Sequence, residues 1–161
     1  MDGKNYIGGR WIEAVGGARF ESRNPAKFDQ VLGTVALSNR EDAEQAVADA
    51  KAAFHGWRAL SRVRRGEYLE RFVDAIKADA DAITRLVASE AGKAYNEAKA
   101  DVVEGIHMAQ YMFGHARLPS GQALPSELAE KDAYMFRKPK GVVTVISPWN
   151  FPFAIPIWLI T

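Results

Sequence analysis

From residue 141 to residue 161 the sequence reads GVVTVISPWNFPFAIPIWLIT, and no side chain in this stretch is charged. Residues 141–146 are almost continuously apolar and rich in β-branched side chains, which is typical of a strand buried on both faces of a parallel sheet. A turn and an apolar helix follow, so the stretch predicts the opening of a β–α–β unit. Ligands of such sheets bind beyond the carboxyl ends of the strands, which here is the turn at residues 147–150.

The turn itself is stiff and carries one amide side chain. Pro148 and Pro152 restrict the backbone on either side of Asn150, so the amide is held in a set direction at the end of the strand. Pro152 also suits the first turn of the following helix, where a missing N–H has little effect. Along that helix four apolar side chains recur at a spacing that places them on one face, as a wall beyond the amide: Phe151, Ala154, Ile155 and Trp158.

Upstream of this stretch the patterns alternate between short strands and amphipathic helices. The Gly8-Gly9 pair predicts a hairpin turn, and Gly92 predicts the end of a helix. Ser38 and Glu41 fit a capping box at a helix start. The predicted elements are a hairpin within residues 5–22, a strand at 31–36, and helices at about 40–58, 62–90 with a break near 79–81, and 95–115.

Residues 119–140 have the pattern of an extended ribbon interrupted by Pro and Gly, and an exposed ribbon needs a surface to lie against. Together these patterns predict an α/β fold in three parts. Residues 1–118 form an N-terminal region that contains the hairpin and the helices. Residues 119–140 form the ribbon, and residues 141–161 form the first strand and helix of a Rossmann-like parallel sheet.

Composition limits the function classes. The 161 residues are 48% hydrophobic and 25% charged, which is ordinary for a soluble globular chain, and the net charge of +1 gives no reason to expect a nucleic acid or a membrane as partner. The sequence contains no Cys, which excludes disulfides, thiolate metal sites and a Cys nucleophile within these residues. His55, His107 and His115 are not spaced as metal ligands, so no metal site is predicted. The N-terminus lacks a basic segment followed by an apolar one, so we expect no secretory signal and a cytoplasmic location.

The sequence resembles the aldehyde dehydrogenase superfamily. The resemblance is most specific at residues 141–152, GVVTVISPWNFP, which look like that family's strand-and-turn signature. Chains of the family run far beyond residue 161, so the resemblance is to the N-terminal part alone. It extends along this chain in the family's order, through NYIGGRW at residues 5–11, Asn24-Pro25, the Ala-rich helix that ends at Trp57, and EAGK at residues 90–93 with Glu97.

The resemblance implies NAD(P)-dependent oxidation of an aldehyde to a carboxylic acid. In that chemistry a Cys thiolate attacks the carbonyl, hydride leaves to the nicotinamide of NAD or NADP, and a Glu-activated water hydrolyses the thioester. The resemblance assigns to Asn150 the donation of an amide N–H to the oxygen of the tetrahedral intermediate. The resemblance also places four residues beside the dinucleotide: Ile146, Ser147, Pro148 and Trp149. It places four residues along the aldehyde tunnel: Phe151, Ala154, Ile155 and Trp158. Residues 119–140 resemble the strands that join the subunits of a homo-oligomer, which is a dimer or a tetramer.

Two features depart from the family's pattern. The catalytic Cys and Glu and the main cofactor-binding loop would lie after Thr161, so we expect these 161 residues alone to be inactive. Many relatives carry Lys directly after the tunnel Trp, where this chain has Leu159, and this leaves the subfamily open. The residues that distinguish NAD from NADP would also lie downstream, and the aldehyde is not specified beyond some aliphatic character.

Other interpretations stay open from the residues alone. Asn150 is also a preferred helix N-cap, and the four-residue apolar face is equally typical of ordinary core. The uncharged stretch after Lys138 and Lys140 has the length of a membrane-spanning helix, although its three prolines and Asn150 oppose that interpretation. A shortened, non-catalytic interaction module is the alternative to an enzyme.

Overall fold

The structure is a computed structural model that describes residues 2–161. Strands and helices are mixed along the chain, as the sequence predicts for an α/β fold. The strands are β1 (Asp2–Gly3), β2 (Asn5–Ile7), β3 (Arg10–Ile12), β4 (Arg19–Arg23), β5 (Val31–Ala36), β6 (Gly121–Leu124) and β7 (Ala133–Phe136). The helices are α1 (Arg40–Ala59), α2 (Arg62–Ala78), α3 (Ala80–Ala91), α4 (Tyr95–His115) and α5 (Ala154–Ile160).

The N-terminal strands form a hairpin and a small sheet. β2 and β3 pair antiparallel across Gly8 and Gly9, whose φ angles of 58° and 76° favour glycine. β5 is the central strand of a three-stranded sheet and runs parallel to β1 and antiparallel to β4. The hairpin predicted at residues 5–22 is confirmed for residues 5–12, whereas Arg19–Arg23 pairs with β5, and the strand predicted at residues 31–36 is confirmed.

The start of α1 differs from the prediction. The N-cap is Asn39, whose side chain accepts from the backbone N–H groups of Glu41 and Asp42, while Asp42 Oδ2 accepts from the Asn39 N–H at 2.8 Å. The capping box lies one residue later than predicted because the Ser38 hydroxyl is used elsewhere. It donates to Asn5 Oδ1 at 2.9 Å and so joins the hairpin to the start of α1.

Asp42 also connects the hairpin region to α1. Its carboxylate is buried, and Oδ1 accepts from the Val15 N–H at 3.0 Å and from Asn5 Nδ2 at 3.4 Å. Loss of this charged acceptor would leave several partly buried donors without a partner. Asp42 is therefore a structural residue that fixes the N-terminal region on the first helix.

We expect Asp42→Ala to lower the free energy of unfolding by roughly 1–3 kcal/mol, because the substitution removes the carboxylate and leaves the partly buried N–H donors without an acceptor. Urea unfolding followed by circular dichroism measures the change. Glu41→Ala is the matched control, since Glu41 is exposed in the same helical turn and its side chain has no partner among residues 2–161. Equal unfolding midpoints for the two variants would contradict this role of Asp42.

α4 is the centre of the helical core, and α2, α3 and α5 all pack against it. The predicted break lies at Asp79 between α2 and α3, and Gly92 ends α3 in the left-handed conformation, as predicted. The Tyr95 hydroxyl donates to Asp81 Oδ1 at 2.6 Å, which joins α4 to α3 and keeps the pKa of Asp81 below its usual value. The buried apolar side chains of this core are Val73, Ile76, Val87, Ala98, Val102, Ile106, Ala109 and Ile157.

The segment before α5 differs most from the sequence prediction. β6 and β7 form a two-stranded antiparallel ribbon within residues 119–140, but residues 141–148 pair with no strand in the described part of the chain. Residues 141–146, predicted as the first strand of a parallel sheet, have no neighbouring strand within residues 2–161, and Val143 is 67% exposed and Ile146 is 87% exposed. A strand is held by backbone hydrogen bonds to a neighbour, and none of the strands within residues 2–161 lies beside this segment.

The exposed apolar segment makes self-association the expected behaviour of the 161-residue chain. Extended backbone with unpaired N–H and C=O groups and apolar side chains is a template for pairing with another copy. We expect an oligomeric or poorly soluble species at micromolar concentration in analytical ultracentrifugation. Val143→Lys places a charge on the same segment and should reduce the association. A sharp monomer boundary for the unmodified chain would contradict this expectation.

Candidate functional site

The turn at residues 147–152 leads from the extended segment into α5. Asn150 is exposed, and its side chain makes no hydrogen bond to any other residue that the structure describes. The N-cap position of α5 is Phe153, and no side chain of the turn caps the helix. The alternative in which Asn150 serves as the helix cap is therefore wrong, and its amide is available to a ligand.

The first backbone N–H of α5 is bound by a side chain of α4 instead. Ala154 N donates to Asp101 Oδ1 at 2.7 Å, and both residues have an exposed fraction of 0%. A carboxylate at a helix start accepts a charge-assisted hydrogen bond and interacts favourably with the helix dipole. A residue 53 positions earlier in the chain thus holds the beginning of α5.

Lys93 completes this contact from the loop between α3 and α4. Its Nζ lies 3.4 Å from Asp101 Oδ2 and 4.5 Å from the centre of the Phe151 ring. The Lys93 side chain is only 18% exposed, so it brings a positive charge close to the fully buried carboxylate. Buried charges need such pairing, and a cation over an aromatic face adds a further attraction. Lys93 therefore contacts both the helix-capping acid and the residue that follows Asn150.

α5 lies very close to α4 at Gly105. A Cβ atom at this position would lie 2.8 Å from Cδ1 and Cε1 of Phe153 and 3.4 Å from Cα of Ala154. The first of these distances is too short for real carbon atoms, so only glycine allows the Phe153 ring to pack at this depth. The packing of Phe153 and Ala154 on α4 leaves the preceding turn at the surface.

The four residues predicted to face a substrate fall on two different surfaces. Ala154 is fully buried against α4, where Ile157, which the sequence did not single out, completes the buried face of α5. Phe151 and Trp158 are 39% and 42% exposed, and Ile155 is half-buried. Phe151, Ile155 and Trp158 are thus accessible to a ligand, and contact of all four residues with an aldehyde stays a prediction.

The predicted cofactor-binding residues lie together on the surface. Ile146 and Trp149 are 87% and 86% exposed, and Ser147 and Pro148 between them are exposed as well. Nothing in residues 141–161 is titratable, so the Asn150 amide is surrounded by neutral groups of its own segment. Lys93 contacts the Phe151 ring at the end of this turn and is paired with Asp101.

Sequence reasoning assigned no role to Asp101 and Lys93, although one signal was present. Ala98 and Val102 lie at helical spacing in the helix predicted at residues 95–115, and Asp101 lies beside them on the same face. Acidic residues are almost never fully buried without a partner, so an acid in this stripe indicates a buried contact. That the partners are Ala154 and Lys93 depends on the fold and is not visible in the spacing.

Two further features concern a metal site and a membrane-spanning segment. Within residues 2–161 no three His, Asp or Glu side chains lie close enough together to hold a metal ion. No helix in the part of the chain that the structure describes is both long and apolar enough to cross a membrane, and α5 has 7 residues.

The chain is similar to known aldehyde and semialdehyde dehydrogenases. It matches the model of the aldehyde dehydrogenase family over residues 11–161. It is 40% identical to an alpha-ketoglutaric semialdehyde dehydrogenase of Bacillus subtilis and 39% identical to a malonate-semialdehyde dehydrogenase of Geobacillus kaustophilus, in both cases over 156 residues. These matches cover 96% and 97% of this chain but 32% of either relative, so the chain spans about a third of the length of the curated relatives it matches.

Solved structures agree with this similarity. A double mutant of betaine aldehyde dehydrogenase from Staphylococcus aureus, in complex with NAD+, superimposes with a TM-score of 0.91 at 30% identity, over 99% of this chain and 32% of its own. An NADP dependent enzyme from E. coli superimposes with a TM-score of 0.88 at 28% identity, over 94% of this chain and 31% of its own. The match in sequence over residues 11–161 and the shared fold lead to one conclusion: this chain belongs to the aldehyde dehydrogenase family.

Proposed function

We propose that this chain forms the N-terminal part of an NAD(P)-dependent aldehyde dehydrogenase that oxidises an aldehyde to a carboxylic acid. The observation that carries the proposal is the setting of Asn150, an exposed amide without a partner among residues 2–161 on a turn that Asp101 and Lys93 anchor to α4. Such an amide can donate a hydrogen bond to a ligand without first breaking a hydrogen bond to another described residue. Membership of the family supplies the class of that ligand.

The proposed role of Asn150 is to stabilise the oxyanion. As a thiolate adds to the aldehyde carbonyl, negative charge develops on the oxygen, and an amide N–H already aimed at that position lowers the barrier without reorganising. Pro148 and Pro152 restrict the turn on both sides, which limits the directions the amide can take. The nucleophilic Cys and the water-activating Glu would come from the remainder of such an enzyme, because these 161 residues contain no Cys.

Residues 146–149 are proposed to lie against the dinucleotide. Bound NAD or NADP would supply the hydride acceptor of the reaction. The side chains of Ile146 and Trp149 support this placement, because they offer nearly wholly exposed apolar surface immediately before Asn150. A ring system that packed on them would bury apolar area that is otherwise in water.

The substrate is proposed to be an aldehyde with some aliphatic character. Phe151, Ile155 and Trp158 offer partly exposed apolar surface directly after the amide, with Ala154 behind it in the helix contact. Burial of aliphatic groups against such side chains is favourable, at about 25 cal/mol per Å² of apolar area. Relatives of this chain are named for the semialdehydes of alpha-ketoglutaric acid and malonate, which supports an aldehyde as the reacting group.

We further propose a division into three parts. Residues 1–118, with the hairpin and the helices, form the N-terminal part of the cofactor-binding domain, residues 119–140 form an oligomerisation ribbon, and residues 141–161 form the first strand and helix of the Rossmann-like sheet. The β6–β7 ribbon supports an interface, because a two-stranded ribbon is marginally stable alone and this one exposes Tyr134 and Phe136 by 61% and 70%. The complete enzyme would be a homo-oligomer. We place it in the cytoplasm, where a soluble dinucleotide is continuously reoxidised.

The test of the proposed function is to read the gene past the codon for Thr161 and to assay its complete product. We expect a continuation that carries a Cys, and formation of reduced dinucleotide from NAD or NADP with a series of aliphatic aldehydes. A stop codon directly after Thr161 would instead support the shortened, non-catalytic module.

A further inference from the structure

We propose that Asp101 and Lys93 are positioning residues for the Asn150 amide. Neither side chain needs to touch the substrate; both act by holding the turn that presents Asn150. This inference rests on the proposed function, since an oxyanion donor must exist before its orientation can matter. It adds two residues on other elements to the set that determines the rate of the reaction.

The contacts lie immediately after Asn150 in the chain. Phe151, the next residue, carries the ring that faces Lys93 Nζ at 4.5 Å. Ala154, four residues after Asn150, donates its backbone N–H to Asp101 Oδ1 at 2.7 Å. Lys93 and Asp101 are joined to each other at 3.4 Å, so the two contacts form one connected support.

The turn has few contacts of its own that could replace this support. Among residues 2–161 the Asn150 side chain has no hydrogen bond, and the backbone bonds nearest to the turn are those from Ile155 N to Phe151 O at 3.4 Å and from Ile157 N to Phe153 O at 3.2 Å. Both of these form the start of α5 and move with it. The direction of the turn relative to the rest of the protein is therefore determined at α4.

Lys93 and Asp101 depend on each other. A fully buried carboxylate is tolerated when a cation and hydrogen-bond donors compensate its charge, and Lys93 and the Ala154 N–H supply them here. Without Lys93 the buried carboxylate loses the cation that compensates its charge, and this alters its contact with the helix start. Displacement of a reacting group by about 1 Å can reduce a rate by about 100-fold, so a small shift of this turn is sufficient for a measurable effect.

The test uses the complete enzyme with Lys93→Met and Asp101→Asn, each in the wild-type and in the Asn150→Ala background. Asp101→Asn preserves the volume and one acceptor oxygen. Lys93→Met keeps most of the length of the unbranched side chain and removes its charge at a position that is partly exposed, so it provides the test if Asp101→Asn does not fold. Lys99→Met is the control, because Lys99 is exposed on α4 and has no ion pair in the described part of the chain.

We expect Lys93→Met to lower kcat by roughly 10- to 100-fold with little change in the KM for the dinucleotide, while Lys99→Met stays near wild type. In the Asn150→Ala background the same substitution should have hardly any further effect on kcat, because the group it positions is gone. An equal loss in both backgrounds, or wild-type kcat for both Lys93→Met and Asp101→Asn, would overturn the proposal. Near-normal turnover of Asn150→Ala alone would instead refute the oxyanion role itself, and the positioning role with it.

Discussion

Asn150→Ala in the complete enzyme is expected to lower the turnover rate by roughly 100- to 1000-fold, which corresponds to about 2.7–4 kcal/mol of lost transition-state stabilisation. The reason is that a preorganised amide N–H is removed from the position where negative charge develops. Affinity for the dinucleotide should change little, since the amide faces the reacting carbonyl. The free energy of unfolding should also change little, because Asp101 rather than Asn150 binds the first N–H of α5.

Steady-state kinetics and urea unfolding of the same preparation separate these effects. Asn96→Ala is a suitable control, since Asn96 is an exposed asparagine on α4 whose side chain has no partner among residues 2–161. It should behave as the wild type in both measurements. A variant Asn150→Ala with near-normal turnover and a clear loss of stability would assign Asn150 a structural role and contradict the proposed function.

The 161-residue chain by itself is expected to produce no reduced dinucleotide from any aldehyde, with either NAD or NADP. The reason is chemical rather than a matter of affinity: the sequence contains no Cys, so no thiolate is available to form the thiohemiacetal from which hydride leaves. The assay follows reduced dinucleotide over time with several aldehydes, and the complete gene product serves as the positive control. Reproducible turnover that persists after further purification would contradict the mechanism.

The elements up to residue 115 were largely predictable because local signals determine them. The Gly8-Gly9 pair, the 3.6-residue periodicity of the helices and Gly92 act within a few residues of the structure they specify, and the hairpin and helices appear as predicted. The capping box was displaced by one residue because Ser38 bonds to Asn5, a contact between elements that spacing cannot reveal.

Long-range contacts account for the remaining differences. Residues 141–146 have the composition of a buried strand, but composition does not supply a neighbouring strand, and the segment is exposed. Phe151 was predicted to share one helical face with Ala154, Ile155 and Trp158, but α5 begins at Ala154, so Phe151 precedes the helix. The position of α4 decides that Ala154 is buried and Trp158 is not. The role of Asp101 depends on the packing of α5 against α4, which brings Ala154 to Asp101 although the two residues are 53 positions apart in the chain.

The most direct test of the central claim, that the Asn150 amide stabilises the oxyanion, is the single-turnover rate of hydride transfer in an Asn150→Ser variant of the complete enzyme. Serine keeps a polar side chain at this exposed position, but its shorter hydroxyl should not reach the oxygen of the intermediate. We expect a rate close to that of Asn150→Ala, with a free energy of unfolding close to that of the wild type. A wild-type rate of hydride transfer in Asn150→Ser would contradict it.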